Sequence, residues 1–157
     1  AAPGAHFRVH WPKAVPPARQ RAASGASRSA LEGARILVLE DDAAVVELLE
    51  LSLGAKGARV TSVCDAAGLE AQLDDEAASF DVLLVELSPL TEQTGGVVTE
   101  DVGLERALAK ARHKNPQIGV VVISGSVTVA PRDDIVWVRK PFAPGEVVQA
   151  IARQRKG

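Results

Sequence analysis

At 157 residues the chain has room for one domain of ordinary size plus a tail, and a hydrophobic content of 46% excludes wholesale disorder. Aromatic residues make up 3%, so a core must be built from Val, Leu, Ile and Ala, and the single cysteine, Cys64, excludes an internal disulfide framework or a cysteine-based zinc cluster. No apolar run approaches the roughly 20 residues of a membrane span, and there is neither a signal-peptide core nor an initiator Met, so the chain reads as a fragment with a cytoplasmic setting.

The net charge of −2 is unevenly spread. Residues 1–30 hold Arg8, Lys13, Arg19, Arg21 and Arg28 and no acid, so the remainder is acidic. An acidic body argues against a nucleic-acid surface on the folded part. The basic tail is a candidate for nucleic acid or anionic lipid, but a solvated linker is the favoured reading.

Phe7, Val9 and Trp11 alternate with polar residues, a strand pattern, and residues 12–33 are a Pro-, Ala-, Ser- and Arg-rich linker. From Ala34 the pattern changes. Ile36–Leu39 is an apolar run of the kind buried on both faces of a parallel sheet, and it ends in Glu40-Asp41-Asp42. Asp42 is a plausible N-cap for a helix carrying Val45, Val46, Leu48, Leu49, Leu51 and Leu53, closed by Gly54 and Gly57. Arg59–Val63 is a second strand, and Asp65 caps a helix reaching about Ala77 with Leu69 and Leu73 inward. Asp81 precedes a third strand, Val82–Val85, ending at Glu86. A long loop runs from Leu87 to about Glu100, and Asp101–His113 is a helix stopped at Asn115-Pro116. Ile118–Ile123 is a fourth strand ending at Ser124-Gly125, Ile135–Val138 a fifth ending at Arg139-Lys140-Pro141, and Gly145–Arg155 the last helix. The stretch between Gly125 and Ile135 is short, β-branched and broken by Pro131, so the spacing predicts a fourth helix reduced or missing there.

Alternating strands and helices imply a doubly wound parallel sheet, whose ligands sit outside the carboxyl ends of the strands. Those ends carry Glu40, Asp41, Glu86, Ser124 and Lys140. Clustered carboxylates suit a hard divalent cation such as Mg²⁺; a hydroxyl and a lysine suit a phosphoryl group. Alone, each has a plain reading: a strand-end polar residue for Glu40 and Asp41, a solvated acid for Glu86, a turn residue for Ser124, a structural ion pair for Lys140. His6, His10 and His113 lie outside this set and are assigned no chemistry.

The set, in this order, resembles the response-regulator receiver domain of two-component (phosphorelay) signalling, over residues 34–157. The resemblance implies a flavodoxin-like sheet of five parallel strands in order 2-1-3-4-5, with Glu40 and Asp41 as the acidic pair and Ser124 and Trp137 at the phosphate-switch positions, although Trp137 on a strand is more often packing. Lys140 in Lys140-Pro141-Phe142 matches the family's lysine. The phosphoacceptor aspartate of the family falls at Glu86. The family's acceptor loop, roughly Asp-x-x-Met-Pro, is one residue shorter here, as Glu86-Leu87-Ser88-Pro89, and the stretch to Gly103 is longer.

Glutamate displaces its carboxylate by about 1.5 Å, one C–C bond, and about 1 Å of misplacement can cost on the order of 100-fold in an in-line transfer. A degenerate, non-phosphorylatable receiver follows. The longer side chain also has the reach to meet Lys140 and imitate part of a phosphorylated state. An inert docking module is favoured over that active-like form, because charge alone lacks the phosphoryl oxygens that engage Ser124. The alternatives are a working phosphoacceptor that uses the acidic pocket with Mg²⁺, and an unrelated nucleotide binder; the latter is disfavoured because no Gly-rich loop follows the first strand.

Residues 4–12, Gly-Ala-His-Phe-Arg-Val-His-Trp-Pro, resemble the last strand of the ATP-binding domain of histidine kinases. Residues 1–11 would then be a remnant of that domain, and the whole the C-terminal piece of a hybrid sensor histidine kinase. The resemblance implies a regulatory role rather than an enzyme for this fragment. The implied partners are histidine kinase domains or a histidine phosphotransfer protein, with a homodimer as a further option, and neither nucleic acid nor membrane for the receiver itself. Mg²⁺, weakly held by Glu40, Asp41 and Glu86, is the sole cofactor implied, and the resemblance is compatible with a membrane-anchored parent kinase.

Overall fold

From Ala34 onward, each stretch read as a strand forms one within a residue or two. The computed structural model describes residues 29–90, 92–94, 97–125 and 132–155, with the backbone alone for residues 92–94 and 97–101. In chain order the elements are β1 (Arg35–Leu39), α1 (Ala43–Gly54), β2 (Arg59–Val63), α2 (Ala66–Asp74), β3 (Val82–Glu86), a single 3-10 turn (Ser88–Leu90), β4 (Glu92–Thr94), β5 (Val97–Thr99), α3 (Glu100–Lys114), β6 (Gly119–Ser124), β7 (Val136–Arg139) and α4 (Pro144–Gln154). Five of the strands form one parallel sheet in the order β2-β1-β3-β6-β7. With β4 and β5 set aside, this is the flavodoxin-like order 2-1-3-4-5.

The two-residue period of the strands divides the core. Leu37, Leu39, Leu83, Val85, Val120 and Val122 point to one face, where α2 and α3 bring Leu69, Leu73, Leu104 and Leu108. Ile36, Val38, Leu84, Val121 and Ile123 point to the other, where α1 and α4 bring Leu49, Leu53, Val147 and Ile151. Side chains alternate across a strand, so a strand covered on both faces must be apolar throughout. Polar groups are thereby displaced to the strand ends. At the amino ends, Arg35 N–H donates to Asp81 Oδ2 at 2.8 Å and the guanidinium to Oδ1 at 2.7 Å, tying β1 to the start of β3. The hydrogen bonds from Arg35 hold the Asp81 carboxyl below its ordinary range.

Several expectations are corrected. Residues 12–33 are not all linker, since Leu31 is wholly buried in the α1/α4 core and its N–H bonds to the Lys56 carbonyl at 3.1 Å. Gly33 and Gly57, both at positive φ, make the facing turns, joined by the Gly33 N–H and the Gly57 carbonyl at 2.9 Å. The second helix ends at Asp74, not near Ala77, because the Asp75 side chain accepts the Ala77 N–H at 2.9 Å and turns the chain. Leu48 and Leu51 do not face the core; they are 42% and 67% exposed, and only Leu49 and Leu53 of α1 are buried. The loop after Glu86 holds the 3-10 turn and an antiparallel hairpin of β4 and β5. The reduced fourth helix was expected on a stretch of which residues 126–131 lie outside the described residues; those described hold four helices. Residues 1–28, including the strand-like remnant, also lie outside them.

Gly103 lets α3 close on the 3-10 turn: a Cβ there would collide with the Leu90 carbonyl oxygen. Gly103→Ala is therefore expected to destabilise the domain by about 1–3 kcal/mol, the range for overpacking, measured as a lowered urea midpoint with an unchanged slope.

Candidate functional site

Sheet register fixes what meets at the carboxyl edge. Leu39 pairs with Val85, Glu86 with Ile123, and Ser124 with Arg139. The residue after β1, the last of β3, the last of β6 and the residue after β7 thus lie along one rim, which spans the point between β1 and β3 where strand order reverses. Ligands of open α/β sheets bind at such a crevice. The Glu40 N–H is fixed to the Val63 carbonyl at 3.1 Å, and the Lys140 N–H to the Ser124 carbonyl at 2.9 Å. The Lys140-Pro141 peptide bond is cis.

Glu40 is 1% exposed and Glu86 5%. Lys140 Nζ lies 3.0 Å from Glu40 Oε2 and 3.3 Å from Oε1. Glu40 Oε1 also accepts the Asp42 N–H at 3.2 Å. Oε2, despite its nearness to the ammonium, has no hydrogen bond of acceptable geometry and is buried. Burial pushes the Glu40 carboxyl above its ordinary range; the hydrogen bonds and charge of Lys140 counter this in part, and the neighbouring Glu86 adds to it.

Glu86 is held differently. Its Oε2 accepts the Ser88 N–H at 2.7 Å and its Oε1 the Ser88 hydroxyl at 3.0 Å, while Lys140 Nζ stands 3.9 Å from Oε1. The expected direct contact between Glu86 and Lys140 is therefore not a hydrogen bond; the lysine lies closer to Glu40. Asp41 is exposed at the rim, and Asp42 caps α1 by accepting from Ala44 N–H at 2.9 Å. Ser124 is buried at the end of β6. Trp137 is partly buried on β7 and packs against the α2/α3 core.

One ligand atom each from Glu40, Asp41 and Glu86 falls within 4.8 Å of the others. Three carboxylates are the hard oxygen donors that Mg²⁺ takes, and the buried Glu40 Oε2 has the Lys140 ammonium 3.0 Å away but no hydrogen bond of good geometry. The donor set fits a divalent cation, with the Lys140 ammonium as its competitor.

No family model and no curated protein matches the sequence. Solved structures do match. A response regulator receiver protein from Sinorhizobium medicae WSM419 superposes with a TM-score of 0.65 at 22% identity, over 81% of this chain and 98% of that one. The receiver domain of the hybrid histidine kinase CckA gives 0.57 at 23%, over 77% and 98%. The chain has the receiver fold. The receiver domain of the sensor histidine kinase PA1611 from Pseudomonas aeruginosa PAO1, with a magnesium ion coordinated in its active-site cleft, gives 0.60 at 18%, over 80% of this chain and 99% of that one.

Ser88, which holds both Glu86 oxygens, is a site residue of this receiver fold that the strand-end pattern does not single out. The signal was present, since a serine two residues after an acid readily bonds back to it in a turn. No helix among the described residues is long and apolar enough to cross a membrane.

A carboxyl held above its ordinary range makes the fold most stable when protonated, and that contribution fades as pH rises through the raised value. Glu40→Gln is expected to gain stability relative to the parent as pH rises from acid towards neutrality, because it lacks the charged form that burial disfavours. The gap should close towards pH ~4, where Glu40 is protonated; paired urea titrations at the two pH values measure it.

Proposed function

We propose that the chain is the regulatory receiver module of a two-component signalling protein, degenerate at its acceptor position, and that it acts through protein contacts rather than through an acyl phosphate on Glu86. One observation carries this reading: the carboxylate at the acceptor position belongs to a glutamate whose two oxygens are both engaged by Ser88. An acceptor must present a free oxygen in line with the donor phosphorus; this one is one carbon too long and turned into its own loop. The 3.9 Å gap to Lys140 favours an inert form over an active-like one.

The parent is read as a hybrid sensor histidine kinase, cytoplasmic in this part. Its support is the likeness of residues 4–12 to a kinase strand and the occurrence of this fold as the receiver domain of histidine kinases such as CckA and PA1611. Partners are then histidine kinase domains, a histidine phosphotransfer protein or a second copy. Glu40, Asp41 and Glu86 would hold Mg²⁺ weakly, and a bound ion would draw phosphoryl oxygens into the pocket. The second reading, a working phosphoacceptor, is favoured by the retained Ser124, Lys140 and acidic cluster.

Incubation with acetyl phosphate and Mg²⁺ followed by intact mass separates the two. The parent chain is expected to stay unmodified; a stable phosphoryl group mapped to Glu86 would sink the degenerate reading. Glu86→Asp, which withdraws the carboxylate by about 1.5 Å, is expected to gain a hydroxylamine-labile phosphoryl group on the order of 100-fold faster than the parent.

A further inference from the structure

Ser88 lies exposed at the start of the 3-10 turn, two residues beyond the buried Glu86. Its amide and hydroxyl occupy one Glu86 oxygen each. The oxygen that takes the hydroxyl, Oε1, is also the one that faces Lys140, at 3.9 Å. A cation entering between Glu40, Asp41 and Glu86 therefore meets unequal ligands. Glu40 Oε2 is buried and carries no hydrogen bond of good geometry, with only the Lys140 ammonium, 3.0 Å away, to be displaced, whereas Glu86 can serve fully only when a Ser88 bond yields.

We propose that Ser88 is a positioning residue that sets the cation affinity of this pocket, by keeping the Glu86 carboxylate turned into the loop after β3. The proposal rests on the reading that the cluster takes a divalent cation. The hydroxyl is the replaceable half of the grip. A hydroxyl–carboxylate bond is charge-assisted and stronger than a neutral one, and its donor is lost on substitution by alanine while the backbone amide remains. Among the described residues Oε1 then keeps no hydrogen-bond donor, and the Lys140 ammonium, 3.9 Å away, is the remaining competitor of the entering ion.

The test is calorimetric titration of the full chain with MgCl₂ in five forms: the parent, Ser88→Ala, Ser88→Thr, Glu86→Gln and the Ser88→Ala/Glu86→Gln double variant. Ser88→Ala is expected to bind Mg²⁺ about tenfold more tightly, the scale of one charge-assisted hydrogen bond. Ser88→Thr, which keeps the hydroxyl, should match the parent, and the double variant should show no gain over Glu86→Gln. A merely structural role predicts weaker binding in Ser88→Ala. If that variant fails to fold, Ser88→Cys, a poor donor of similar size, replaces it. Equal affinities in the parent and Ser88→Ala, or a gain that survives Glu86→Gln, overturn the role of Ser88 and leave the cation site standing. Absence of Mg²⁺ binding in every form, with Mn²⁺ equally unbound by electron paramagnetic resonance, removes the cation site and the proposal with it.

Discussion

Two carboxylates, Glu40 and Glu86, are carried to the carboxyl edge of the sheet with 1% and 5% exposure, and one ammonium, Lys140, stands between them. An ion taken out of water costs several kcal/mol unless it is paired and hydrogen-bonded. One lysine does not serve two such groups equally. It lies 3.0 Å from Glu40, and Glu86 takes its hydrogen bonds from the turn that follows it. The rest of the pocket follows from this division: one acid pushed towards protonation, the other held by local donors, and Asp41 left at the surface.

The division depends on the sheet. Because β1, β3 and β6 are covered on both faces, their interiors admit only apolar side chains, and every polar group of the strands is displaced to an end. Parallel pairing puts the carboxyl ends on one side, and register decides which residues face one another across the rim. A one-residue slip would turn each strand's inward set to the opposite face and would carry Glu86 away from Lys140. The pocket is thus a by-product of core packing as much as a site in its own right.

Much of this was legible in the sequence. The buried strands announce themselves as Ile-Leu-Val-Leu, Val-Leu-Leu-Val and Gly-Val-Val-Val-Ile, and the caps Asp42 and Asp65 stand where the helices begin. The gathering of Glu40, Asp41, Glu86 and Lys140 follows from strand ends alone. What was not legible depends on geometry finer than a periodicity. Leu48 and Leu51 look as inward as Leu49 and Leu53, because a helix rich in leucine does not declare which stripe its neighbours cover. Which carboxylate takes the lysine turns on differences of less than 1 Å. Leu31, beyond a glycine and amid linker-like sequence, is buried only because the turn at Gly57 offers it a carbonyl and a gap.

That leucine has a further consequence. It fastens the incoming chain beside Lys56 and Gly57, at the end of the molecule where β1 and β2 start. The acidic rim lies at the far end, one strand's length away, roughly 17 Å for five residues. The described chain thus enters the fold at the pole opposite the pocket, so the anchor that fixes its first turn and the cluster of carboxylates are separated by the full height of the sheet.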